Sequence, residues 1–178
     1  MKNAVKGGNE PNLLAIFTSS GSYFAMHNEP ENTVYFYAQT DAFSEFSNFS
    51  PYGVAFDGRW WRTVEHYFQA MKFRDEEYRE RIRNCGKPKD AKALGMTRKI
   101  PLRPDWEDVK DAIMLDAVRC KFQTHEHPRK LLLSTGDSRI AENAPMDAYW
   151  GIGPDGAGLN RLGTILMQVR EELQTDRI

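Results

Sequence analysis

The sequence predicts one compact α+β domain, mostly helical with a small antiparallel sheet, and three features carry that expectation. Asp57-Gly58 joins the short runs Val54-Ala55-Phe56 and Arg59-Trp60-Trp61, a preferred two-residue hairpin connection. From Asp105 onward, Trp106, Val109, Ile113, Ala117 and Cys120 recur every three or four positions, the period of an amphipathic helix. A second such stripe, Leu159, Leu162, Leu166, Val169 and Leu173, follows a glycine-rich run. Helices outnumber strands, which is the composition of an α+β layer arrangement.

Taken in order, residues 1–31 mix Gly, Asn, Ser and Pro around the single apolar run Leu13 to Phe17, which reads as an N-terminal arm or an added strand. The domain proper covers 32–178. It opens with Thr33 to Ala38, a β-branched and aromatic run expected to be a strand. After the hairpin, Thr63 is placed to cap a helix over Glu65 to Phe73, and Asp75 to cap a second in which Tyr78 and Ile82 share a face. Ala91 to Leu94 is expected as a short helix stopped by Gly95. Asp105 is expected to cap the long helix, which ends near Phe122. Pro128 suits a first helical position, Leu131 to Leu133 a buried short helix, Gly136 its C-terminal cap, and Ile140 a brief strand.

The chain has 178 residues, room for one domain with an added arm. Its 24 basic and 25 acidic residues are scattered, so neither a strong nucleic-acid-binding charge nor a polyacidic tail is present. Cys85 and Cys120 form no CxxC or Cys/His spacing, which gives a disulfide framework or a zinc knuckle little support. No apolar run approaches the roughly 18 residues that cross a bilayer, and Leu13 to Phe17 is too short for a signal-peptide core. The expectation is a cytoplasmic protein without membrane association, with nuclear access left open.

Three constellations can carry chemistry. Helical spacing puts Glu65, Gln69 and Lys72 at i, i+4 and i+7, so a carboxyl, an amide and an amine share one face. They read either as a site, with the carboxyl moving protons and the amine attacking or holding an anion, or as a solvated stripe. His66 lies one step off that face and reads as a structural histidine more readily than as a base. The second constellation is Asp147-Ala148-Tyr149-Trp150-Gly151, continuing through Gly153, Gly156, Gly158 and Asn160 into a helix. Such a loop can expose amides to a phosphate, although it is neither a Walker nor a Rossmann pattern and on its own reads more readily as a plain connection. Third, Phe43 to Pro51 alternates aromatic and short polar residues that can stack on a planar ring or pack inward. Trp106 poses the same choice between a pocket wall and the core.

Together these blocks resemble the NADAR family of YbiA-like N-glycosidases. The matching pieces are Ser47-Asn48-Phe49, Trp61 through Glu65-His66-Tyr67-Phe68-Gln69 to Lys72-Phe73, Trp106 with Lys110, Lys121-Phe122, Leu132 to Gly136, and Asp147 to Gly151 through Asn160-Arg161-Leu162-Gly163. The likeness covers residues 34 to 174 in order and leaves out the arm. It implies a metal-independent α+β enzyme, with no cofactor, that cleaves the bond between a ribose and a nitrogen. It also implies a nucleotide-derived substrate: phosphorylated ribosylaminopyrimidine intermediates of riboflavin synthesis, or ADP-ribose attached to guanine in DNA or RNA.

Carried over by position, the family's catalytic Glu, Trp and Asp fall on Glu65, Trp106 and Asp147. Glu65 is then expected to transfer protons, Asp147 to position water or the ribose hydroxyls, and Trp106 to stack on the ring or wall the sugar. Lys72 is retained by the family pattern. It is expected either to contact phosphate or, once desolvated, to attack C1′ and form a Schiff base. Ser47, Asn48, Phe49, Gln69, Tyr149, Trp150, Gly151, Asn160 and Arg161 are the expected substrate contacts, with phosphate on the loop from Gly151 to Gly163. The rival from another class is a nucleotide or ADP-ribose binding module that reads without cutting. A structural adaptor would leave the polar helix stripe unexplained.

Overall fold

The computed structural model describes residues 32–37 and 42–175. The arm expected over 1–31, and the far end of the first strand, lie outside the described residues. Strand β1 (Thr33–Phe36) leads through a 3-10 turn at Ser44–Phe46 to the hairpin of β2 (Val54–Phe56) and β3 (Arg59–Trp61). Helices α1 (Val64–Ala70), α2 (Glu76–Asn84), α3 (Pro88–Gly95), α4 (Trp106–Thr124) and α5 (Glu126–Ser134) follow, then β4 (Arg139–Glu142) and α6 (Arg161–Thr175). The mostly helical α+β domain expected from the sequence is what forms.

The hairpin register pairs Val54 with Trp61 and Phe56 with Arg59. Its turn residues Asp57 and Gly58 both take positive φ, as a type I′ turn requires. The second sheet departs from the expectation of antiparallel strands, because β1 and β4 pair in parallel, Thr33 opposite Arg139. A parallel pair needs a long crossover, here most of the domain, so no local turn signal announces it.

Helix α1 is the centre of the molecule. All seven of its residues are buried, and it packs against α2, α3 and α4. Thr63 caps it, its side chain accepting from His66 N. The helix stops at Ala70, short of the expected Phe73, so Lys72 sits just past its end. His66 is wholly buried between Thr63 Oγ1 at 2.8 Å and the Cys85 carbonyl at 3.2 Å, the structural role expected of it. Burial lowers its pKa.

Several boundaries move for identifiable reasons. Gly95 does not stop α3 but lies inside it, where a Cβ would stand 1.8 Å from Gln69 Oε1, so the glycine serves the close approach of α3 to α1. Asp105 stands at the start of α4 without capping it, because its carboxylate takes two hydrogen bonds from Arg103 instead. Pro128 occupies the third rather than the first position of α5. On α4 the wholly buried face runs through Met114, Ala117, Val118, Lys121 and Phe122, while Val109, Ile113 and Cys120 are half-buried. Leu159 precedes α6 and is 62% exposed, so the buried stripe begins at Leu162. Among the described residues no helix is long and apolar enough to cross a membrane.

Candidate active site

Because α1 is surrounded, Glu65 and Gln69 cannot be a solvated stripe: they are 6% and 4% exposed. Both line an inner chamber of about 260 Å³ together with Lys72, Trp150, Glu142 and Asp147. Gln69 Nε2 donates to Glu65 Oε1 at 2.8 Å. Turned over, the same amide would accept from a protonated Glu65, so the pair suits either protonation state. Burial raises the Glu65 pKa above the usual carboxylate range, and the Gln69 hydrogen bond with the amines of Lys92 and Lys72 offsets this only in part.

Lys72 presents its amine 5.7 Å from the centre of the Phe68 ring and 5.8 Å from that of Trp106. Burial lowers its pKa, with Arg98 and Lys92 acting in the same sense and Glu65 against it. Burial thus pushes both the acid and the amine toward their uncharged forms.

Two more carboxyls reach the chamber from the end of β4 and the loop after it. Asp147 Oδ1 accepts from the backbone amides of Tyr149 at 3.0 Å and Trp150 at 2.8 Å, which fixes the side chain. Glu142, the last residue of β4, has its pKa pushed up to about 7 by burial and then by the charges of Asp147 and Glu65. The chamber shares Glu142, Asp147, Ser47, Phe49, Lys92 and Met96 with an outer cavity of about 600 Å³, where Lys89, Tyr37 and Met146 are added.

The segment carrying Ser47, Asn48 and Phe49 forms the remaining wall. Its shape is set from below by Lys121, which is 1% exposed and donates to the Ser47 carbonyl at 2.9 Å and Ser50 Oγ at 2.8 Å. Burial brings the Lys121 pKa down to about 7, and a neutral amine retains enough N–H groups for both bonds. Asn48 also receives the Glu65 amide on its carbonyl at 3.1 Å, tying the wall to the first turn of α1. The Oδ1 of Asn48 and the Oε1 of Gln69 are buried acceptors without a partner. Of the three phenylalanines in this stretch, Phe46 is in the core, Phe43 packs against it, and Phe49 lines both cavities.

The expected residues therefore divide. Glu65, Gln69, Lys72, Ser47, Asn48, Phe49, Asp147 and Trp150 are brought together. Trp106 is not among the residues lining the chamber; its ring packs on Phe68 at 5.1 Å and lies 5.8 Å from the Lys72 amine. Tyr149 turns outward, its hydroxyl donating to Asp111 at 2.7 Å, and Arg161 is ion-paired to the same Asp111.

Gly151 and Asn160 serve the backbone instead of a ligand. A Cβ on Gly151 would meet the Glu142 carbonyl at 2.6 Å, and Asn160 accepts from Glu142 N at 3.0 Å while donating to the Ile140 carbonyl at 2.8 Å. Most of the backbone donors that this loop could offer the expected phosphate are already used. The amides of Ile152, Gly153, Gly158, Leu159, Asn160, Arg161 and Leu162 all bond to carbonyls of Glu142 or of the loop itself.

Sequence reasoning missed Glu142 and Lys92. The available signal was faint: an acidic residue closing the strand that carries the buried Ile140 and Ala141, and a lysine one turn before Gly95 on the helix that abuts Gln69. Among the described residues no group of three or more His, Cys, Asp or Glu side chains is arranged to hold a metal ion.

The family model for the NADAR domain matches residues 35–174. The chain belongs to the NADAR family. This NADAR chain is 44% identical over 151 residues to N-glycosidase YbiA of Escherichia coli, covering 85% of this chain and 94% of that protein. The solution structure of E. coli YbiA superposes with a TM-score of 0.77 at 45% identity, covering 82% of this chain and 87% of that one. It is also 40% identical over 157 residues to the maize chloroplastic riboflavin biosynthesis protein PYRR, covering 80% of this chain and 25% of that protein. The chain is thus an N-glycosidase of the NADAR family.

Proposed function

We propose that this NADAR domain hydrolyses the bond between ribose C1′ and the nitrogen of a base or amine. The observation that carries the reading is the inner chamber, where a carboxyl held toward its acid form, an amine held toward its neutral form and a fixed Asp147 meet. Breaking a ribosyl C–N bond builds positive charge at C1′ and negative charge on the departing nitrogen. Asp147 faces the former, and Glu65 supplies a proton to the latter or to the ring oxygen.

A neutral Lys72 amine can add to C1′ once the ring has opened. The base then leaves with the electron pair of its bond, and water hydrolyses the resulting lysine imine. Borohydride added during turnover would reduce that imine to a stable adduct on Lys72; water attack alone would leave no adduct.

For the substrate, the size of the outer cavity favours a ligand longer than a ribosyl monophosphate. Its wall combines Phe49, Met96 and Met146 with the amines of Lys89 and Lys92, which suits a second ring joined through phosphates. ADP-ribose on guanine in nucleic acid has that form. The phosphorylated ribosylaminopyrimidines remain the second reading, supported by the maize relative's being a riboflavin biosynthesis protein, of which this chain spans a quarter.

The test offers both substrates side by side with product analysis by mass spectrometry. Free base or amine released from either establishes the bond cleaved, and the faster substrate identifies the class. Tight binding of ADP-ribose without release from either would instead make the chain a binding module.

A further inference from the structure

We propose that Glu142 is the general base of the reaction, taking the proton from the water that adds to ribose C1′. This role rests on the N-glycosidase reading above. Glu142 borders both the inner chamber and the outer cavity. A ribose in the chamber with the rest of its substrate outside would set C1′ within the span between Glu65 and this side chain.

The backbone of Glu142 is clamped on both sides. Its N–H donates to Asn160 Oδ1 at 3.0 Å, and its carbonyl accepts from Ile152 N at 2.9 Å. Its carboxyl carries no hydrogen bond or ion pair among the described residues, although it lies largely out of water. The other two carboxyls of the chamber are engaged, Glu65 by Gln69 and Asp147 by two amides. A base must have free lone pairs, and of these three only Glu142 has both oxygens uncommitted.

The charged groups facing Glu142 are Asp147 from the loop after β4, Glu65 from α1 and Lys92 from α3. The two acids and burial outweigh the amine, so the carboxyl titrates at about 7, where a base works best at neutral pH.

The water oxygen bonds to C1′ while one of its protons passes to the Glu142 carboxylate. The pair of the C1′–N bond returns to nitrogen, which takes the proton held by Glu65. One proton passed from Glu142 back to Glu65 restores both. If Lys72 has formed an imine, the same hydration applies with the lysine nitrogen as the leaving atom.

The test uses the full chain and whichever offered substrate it cleaves. For the wild type, kcat/KM should rise with pH through about 7, and a profile flat from pH 5 to 8 overturns the role without any variant. Glu142→Gln keeps the shape and should lower kcat by about 10²- to 10⁴-fold with KM changed far less, and abolish the acid limb. Glu142→Ala should regain much of its rate with added formate, which restores a carboxylate that no structural role would need. Activity of Glu142→Gln within about threefold of wild type, an unmoved acid limb, or no rescue by formate overturns the proposal while the N-glycosidase reading stands. A wild type that releases no base from either substrate overturns both.

Discussion

The inner chamber and the glycine loop from Gly151 to Gly163 both offered anion-binding or catalytic chemistry on sequence grounds, and the fold gives them opposite characters. In the chamber, polar groups are buried with their bonding capacity left over: Asn48 Oδ1 and Gln69 Oε1 have no partner, and Lys72 rests over two aromatic rings. In the loop, amide after amide is bonded to a carbonyl, and Gly151 and Gly163 lie where a Cβ would strike the backbone of β4. A reactive site is where burial leaves polar capacity unspent; a clamp is where it is fully used. The loop clamps the backbone of Glu142 and of Asp147 at the chamber wall.

The largest effect should come from Glu65→Gln, which removes the titrating proton from the centre of the chamber. The rate should fall by about 10²- to 10⁴-fold in a steady-state assay. Folding should not suffer, because a raised carboxyl pKa means the wild type loses stability as pH rises from the ordinary carboxylate range toward the folded value, and glutamine abolishes that loss. A near-normal rate in this variant would break the contrast between site and clamp.

Next in size is the loop itself. Gly163→Ala puts a Cβ 2.2 Å from the Ile140 carbonyl, and thermal or denaturant unfolding should show a loss of about 1–3 kcal/mol. Unchanged stability would mean that the clamp yields more than its geometry suggests.

Lys121→Met removes the donor to two buried oxygens, and the cost should be about 1–2 kcal/mol, read by urea titration. The folded pKa of Lys121 lies near 7, below the ordinary lysine value, so the unfolded chain binds more protons between those limits. Wild-type stability should therefore rise with pH from about 7 toward about 10, and the methionine variant should lack that rise. An identical slope in both would assign it to other groups.

The smallest effect is reserved for Arg161→Ala. Its partner is Asp111 in a largely exposed ion pair, worth at most about 1 kcal/mol, and KM for a phosphorylated substrate should move by less than about twofold. A tenfold rise in KM would return the loop to the binding site.

Much of this was legible along the chain, where the physics is local. The Asp57-Gly58 turn, the Thr63 cap and the α6 stripe through Leu162, Leu166, Val169 and Leu173 follow from backbone preferences and periodicity over a few residues, although the exposed Leu159 does not belong to that stripe. The grouping of Glu65 with Gln69 follows from one helical turn, and the family likeness supplied Asp147. What only the tertiary structure decided depends on partners distant in sequence. The parallel pairing of β1 with β4 spans the domain and brings Glu142 to the wall. Burial of α1 on every side turns Glu65 from an ordinary surface acid into a desolvated one. Packing on Phe68 and the Lys72 amine, rather than direct lining of the chamber, is what the fold gives Trp106. Spacing fixes which side chains share a face, but whether that face meets water or protein is set by what packs on it, and that difference controls desolvation and so the chemistry.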